Sequence, residues 1–360
     1  MGVPGITGGA TVGAARLTAM SAASPSAPAR AAFPGVQLHI VTGKGGTGKS
    51  TVSASLALAL ASRGQTVLLC EVEGRQGIAQ LFDVPPLPYE ERLVARGAAG
   101  PTGSGDLYAL AIDAESALLE YLDMYYRFGR AGKALDRFGV IEFATTIAPG
   151  VRDVLLTGKV YEAAKRNRRN KGARSYDAIV LDAPPTGRIA QFLNVNDELA
   201  GLAKVGPIKS QADVVMSLLR SSRTAIHLVT VLEEMPVQET GDGIAELRAA
   251  GLPVGGVIMN MVRPQDLDVG ERQQLIEGTV DRGELVASLE KAGIESGDAV
   301  VDGLLDEGRH HAERRRLEDS QRALVEAMDV PSYELPLMPG GVDLAGLYEL
   351  AEAICEDGLA

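Results

Sequence analysis

Tryptophan is absent from this 360-residue chain, and aromatic residues together make up only 4% of it. A core without large rings must be filled by Ala, Val, Leu and Ile, which pack well only where helices and strands approach closely. Cysteine is scarce too. Cys70 and Cys355 stand far apart, which excludes a disulfide framework and a Cys-x-x-Cys pair, so no zinc is expected. A reducing, cytoplasmic setting fits that usage, and Cys70, closing an apolar run, reads as a small core residue. Long hydrophobic runs are also missing. No stretch approaches membrane-spanning length and no apolar h-region follows a basic start, so neither a transmembrane anchor nor a secretory signal is expected. Positive charge is in deficit, with 35 Lys and Arg against 47 Asp and Glu and a net charge of −12. That balance argues against nucleic acid or an anionic membrane as the main partner.

What is abundant is apolar, 46% of residues. Residues 1–34 are Ala, Gly, Ser, Pro and Thr with scattered Arg and no sustained periodicity, the composition of a disordered tail, and either Met1 or Met20 serves as a start. From residue 35 to 360 apolar strand-like runs alternate with helical stretches: Thr66–Val72, Leu107–Ile112, Tyr176–Asp182, Thr224–Leu232, Val254–Met259 and Ser332–Leu335. Alternation of that kind predicts an α/β fold, a doubly wound and mostly parallel sheet in one domain. Two regions depart from it, at about 115–170 and 265–328, and read as helical insertions; Pro149-Gly150 divides the first. The basic tract Arg166–Arg174 reads as a solvated loop, and a terminal helix capped by Asp343 runs to Glu356.

The sheet is expected to be organised around Val36-Gln-Leu-His-Ile-Val-Thr-Gly-Lys-Gly-Gly-Thr-Gly-Lys-Ser-Thr51. An apolar strand, a glycine loop and the first turn of an Ala/Leu helix follow one another, the order that a P-loop nucleotide site requires. Gly45, Gly46, Thr47 and Gly48 leave backbone free to curl around phosphates, and the helix start adds open amides and the positive dipole end. Lys49 is placed for the β- and γ-phosphates, Ser50 for Mg²⁺, and Thr51 for the α-phosphate, so ATP with magnesium is the expected ligand. The strand ending in Asp182 supplies the carboxylate such a site needs for its metal, and the stiff Ala-Pro-Pro-Thr after it frees the Gly187 amide to sense a γ-phosphate.

A second lysine inside the loop, Lys44, makes the motif K-G-G-T-G-K-S-T. This deviant form resembles the dimeric switch ATPases that include ArsA, the tail-anchored-protein targeting ATPases, MinD, ParA and nitrogenase iron protein. Within that class, Asp182-Ala-Pro-Pro-Thr-Gly-Arg188 resembles the Asp-Thr-Ala-Pro-Thr-Gly-His switch II of the ArsA and tail-anchored-targeting family, with Arg188 in place of His. Ile147–Asp153, Pro236–Thr240 and Leu335–Pro339 are similar to further segments of that family, so the likeness runs from about Val36 to the end. It implies a catalytic Lys44 that reaches the nucleotide of the opposite chain, in a homodimer or in a heterodimer with a paralogous ATPase subunit. It also implies that Asn260 reads adenine beside Pro336, Leu337 and Met338, and that ATP hydrolysis controls a client or a membrane-protein partner. The family's catalytic switch I Asp falls on Glu73, and the Asp-x-Asp of MinD-like members on Glu71-Val-Glu73. Either glutamate can orient the attacking water, and the longer side chain implies slow turnover. Two other roles share these motifs, the soluble catalytic subunit of a membrane anion pump and a MinD/ParA-like positioning ATPase. The acidic C-terminus does not suit the membrane-targeting tail of the latter.

Overall fold

Apolar runs rich in Val, Ile and Leu become eight strands of one sheet: β1 (Leu38–Gly43), β2 (Val67–Glu71), β3 (Arg92–Arg96), β4 (Asp106–Ala111), β5 (Ala178–Asp182), β6 (Thr224–Thr230), β7 (Val254–Val262) and β8 (Ser332–Pro336). The computed structural model describes residues 32–72, 74–99, 103–126, 149–166, 174–202 and 207–360. Strand order is β3-β4-β2-β5-β1-β6-β7-β8, so the loop-bearing β1 lies inside the sheet. Every neighbouring pair is parallel except β3 with β4. Helices cover both faces, as a buried parallel sheet demands. The fold is thus the α/β, doubly wound P-loop architecture that the alternation predicts.

On one face lie α1 (Lys49–Ser62), a short α2 (Gly77–Leu81) and, outside them, the C-terminal helix Leu344–Glu356. Val52 to Ala61 are buried without interruption, because α1 is enclosed between the sheet and that last helix. Ala and Ser at six of those ten positions permit the close approach that a core poor in aromatics needs. The opposite face packs α4 (Pro149–Lys165), α5 (Thr186–Leu202), α6 (Pro207–Leu219) and α7 (Glu234–Ala249) around Phe192, Leu193, Ile226 and Leu228, and α3 (Ala114–Tyr126) lies against α4. Pro149 opens α4, where its missing N–H costs nothing. Helices α8 (Val269–Glu277), α9 (Arg282–Lys291) and α10 (Asp298–Glu326) follow β7, and Asp343 caps the final helix, α11, by accepting from Gly346 N at 2.9 Å.

Three details differ from the sequence expectation. β3 goes unsignalled because it is a largely exposed edge strand, Arg92-Leu-Val-Ala-Arg96, whose terminal arginines discourage further pairing. Asn260 does not end its strand: the ladder shifts register after Met259, Met261 takes a left-handed backbone (φ 58°), and Val262 pairs again with Pro336. Helix α1 begins one residue early, at Lys49. The N-terminal tail up to residue 31, much of the first helical insertion and most of the basic tract lie outside the described residues.

Candidate active site

Two glycines decide the shape of the loop after β1. A Cβ on Gly43 would fall 2.2 Å from Val229 O, and one on Gly48, at φ 85°, would fall 2.3 Å from Asn260 Nδ2. Only glycine fits either place. Gly48 is also the N-cap of α1, and no side chain caps it, so the first-turn amides face the loop as an anion site. Within the loop, Lys44 O accepts from Thr47 N at 3.3 Å, Thr47 Oγ1 at 2.9 Å and Lys49 Nζ at 3.3 Å. The Lys49 ammonium therefore curls back over the loop. Gly45 and Gly46 form its exposed rim, while Thr51 lies half-buried a turn further on.

The carboxylates arrive from the strands beside β1. β5 lies between β1 and β2, and Asp182 is in register with Val41 on one side and Glu71 on the other. Ser50 Oγ donates to Asp182 Oδ2 at 2.6 Å, and Ser53 Oγ lies 3.3 Å from Oδ1. Burial pushes the Asp182 carboxyl up to about 6; the Glu71 charge adds to this, and the Ser50 hydrogen bond and the Lys49 ammonium oppose it. Glu71 is buried as well. Its Oε1 accepts from Gly77 N at 3.2 Å, and its Oε2 has no hydrogen-bond partner among the described residues. Glu73 lies outside the described residues.

Switch II leaves β5 tied to β1, because Thr42 Oγ1 donates to Pro184 O at 2.7 Å. Thr186 is buried with its hydroxyl unpartnered, and Gly187, at the start of α5, is exposed. Arg188 Nη2 then lies 3.7 Å from Asp153 on α4, a carboxyl raised by burial and lowered in part by Arg188 and Arg152. The last strand comes alongside, with Pro336 opposite Val262, Leu337 N donating to Val262 O at 2.8 Å, and Met338 half-buried near Gly346.

Residues 36–222 match the family model described as anion-transporting ATPase. The chain belongs to that family. It is 54% identical to ATPase BagA of Mycobacterium tuberculosis over 327 residues, which cover 90% of this chain and 94% of that protein. Similarity to ATPase GET3 of Kluyveromyces lactis is lower, 26% over 265 residues, covering 64% of this chain and 73% of the yeast protein. Membership makes the chain an ATPase.

In this anion-transporting-family ATPase the structure adds residues that the sequence reading did not single out. Ser53, one turn after Ser50 on α1, shares Asp182; an i, i+3 serine pair was the available signal. Thr42 secures switch II, and Glu239 on α7 holds Lys44 at 2.7 Å, with no local signal for either. Asn260, expected at the adenine, is buried with its Nδ2 donating to Thr47 O at 2.9 Å, so it braces the loop. Among the described residues no helix is long and apolar enough to cross a membrane.

Proposed function

We propose that this ATPase is a magnesium-dependent switch that closes as a dimer around ATP and uses hydrolysis to control a client or partner protein. The observation that carries the reading is the Ser50–Asp182 contact, set beside the unpartnered Glu71 oxygen at the C-terminal ends of β1, β5 and β2. That donor set is all oxygen, and one buried carboxylate oxygen is left without a proton donor, which suits a hydrated magnesium ion. Ser50 would ligate it directly and Asp182 through water. The described residues hold no group of three His, Cys, Asp or Glu for a metal, and magnesium does not require one, since phosphates and water complete its shell. When bound, the ion neutralises phosphate charge during transfer.

The chain's own residues do the rest. First-turn amides of α1 and the Lys49 ammonium hold the phosphates, exchanging the Lys44 carbonyl for phosphate oxygens. Glu71 and Glu73 are the carboxylates that orient the attacking water and take its proton, and the position of Glu71 beside Asp182 supports a share in that work. The Gly187 amide reads the γ-phosphate and, through Arg188 and Asp153, passes the state of switch II to α4. Asn260 reads the adenine edge, flanked by Pro336, Leu337 and Met338. Lys44 completes the site of the opposite chain, a second copy or a paralogous subunit.

Sedimentation with a non-hydrolysable ATP analogue and magnesium tests the assembly. The wild type should pass from monomer to dimer on adding nucleotide. Lys44→Ala should bind nucleotide on its own Lys49 and loop amides and lose most of its turnover. Full turnover by a strictly monomeric chain, with or without Lys44, would overturn the proposal.

A further inference from the structure

Lys44 does not project freely from its loop: its Nζ lies 2.7 Å from Glu239 Oε1, on a helix of the same chain. Both side chains are about one third exposed, 31% and 38%, so the pair sits at the surface where a partner would have to reach it. Glu239 lies inside α7, one turn before Gly243, and a Cβ on Gly243 would come within 3.2 Å of Thr186 Cγ2 in switch II. One face of α7 therefore meets the phosphate loop at residue 239 and switch II at residue 243. This arrangement puts a competitor beside Lys44. An ammonium held by a carboxylate in its own chain is not available to a phosphate bound by another chain until that contact breaks.

We propose that Glu239 is a positioning residue that latches Lys44 onto its own chain, so that closing the dimer requires the ammonium to exchange Glu239 for the facing chain's phosphates. The second half of the exchange rests on the dimeric reading above; the first half is a property of the single chain. A partly exposed ion pair restrains its lysine by only a modest factor, roughly twofold to fivefold. Both lysines must exchange for one dimer to close, so the factor enters twice. Removing the latch should tighten the dimer by roughly fourfold to twenty-five-fold.

Two measurements on the full-length protein test the two halves separately. In the nucleotide-free chain, labelling with an amine-reactive reagent followed by peptide mass spectrometry should find Lys44 modified several-fold faster in Glu239→Gln than in the wild type, with the other lysines unchanged. In sedimentation with magnesium and a non-hydrolysable ATP analogue, Glu239→Gln should dimerise at lower protein concentration by the factor above. That gain should vanish when Lys44→Ala is also present, which a merely structural role for Glu239 would not produce. Unchanged labelling of Lys44 overturns the latch whatever the assembly state. If the wild type dimerises and Glu239→Gln dimerises no more tightly, the latch falls and the composite site stands. If neither chain dimerises with nucleotide, the exchange and the dimeric reading fall together.

Discussion

Replacing Asp182 by Asn should make the nucleotide-free protein more stable while removing its magnesium-dependent activity. The carboxyl is buried beside Glu71, and its pKa rises from 3.8 to about 6. A group raised in this way favours the folded state fully below pH 3.8, and that contribution is lost as pH rises through about 6. Above that window both states are ionised, and the folded state bears the cost of a desolvated charge. That rise corresponds to about 3 kcal/mol at pH 7.5, at about 1.4 kcal/mol per pH unit. Asn keeps the shape and both contacts: its carbonyl accepts from Ser50, and its amide donates to Ser53, whose hydroxyl still reaches Lys49 O at 2.9 Å. In urea the midpoint at pH 7.5 should move upward by roughly 1 M for a slope near 3 kcal/mol/M, and the gain should shrink to nothing by about pH 3.5. ATP turnover in magnesium should fall by about 10² or more in the same variant. A variant no more stable than the wild type at pH 7.5, or stabilised equally at every pH, would refute the assignment of this carboxylate as a strained metal-site group.

Glu71→Gln should keep ATP affinity within about threefold and lower turnover by about 10²-fold or more, because the amide fills the same space and cannot take a proton. Glu73→Gln is its control: if that variant alone loses turnover, Glu73 is the only base. The buried pair formed by His39 and His227, with Nδ1 and Nε2 3.1 Å apart, should make the fold acid-sensitive. Burial depresses His39 from 6.5 to about 4, so its contribution is present above pH 6.5 and is lost as pH falls towards 4, about 2 kcal/mol of it between pH 7 and pH 5. Denaturant midpoints across that range should fall less steeply in His39→Gln, and an unchanged slope would show that His39 is not the titrating group.

The parts of this site that could be read from sequence are those in which neighbours along the chain do the work. A glycine loop between an apolar strand and an Ala-rich helix, an Asp closing a buried strand and an Asp three residues before Gly346 each carry their geometry in a few adjacent residues. What could not be read is set by contacts between segments far apart in the chain. Glu239 stands 195 positions from Lys44, and Asn260 213 positions from Thr47, and neither distance leaves a periodic trace. The histidine pair is hidden for the same reason, 188 positions apart on neighbouring strands. Asn260 also shows how a residue type can hide a structural role. Its residue type and strand suggest a base-reading amide, while the observed contact of that amide is with the glycine loop, beside a register shift and a left-handed Met261.

The contacts that tie the loop to the rest of the molecule differ in stiffness, and this sets which part of switch II yields first. Near β1 the Thr42–Pro184 bond is buried and 2.7 Å long, and Ser50–Asp182 is shorter still, at 2.6 Å. Breaking either without a replacement strands a polar group out of water, at a cost of about 1–3 kcal/mol. Farther out, Arg188 is 54% exposed and only 3.7 Å from Asp153, a contact of the kind worth about 0–1 kcal/mol. On the proposed reading, a phosphate arriving over Lys49 would meet a segment after β5 whose base is fixed to the sheet and whose outer end is held weakly to α4. Rearrangement should begin between Gly187 and Arg188, where a new hydrogen bond to a phosphate exceeds what the existing ion pair supplies. Helix α4 should respond first, because Asp153, buried near Arg188, would lose that counter-charge if the arginine moved.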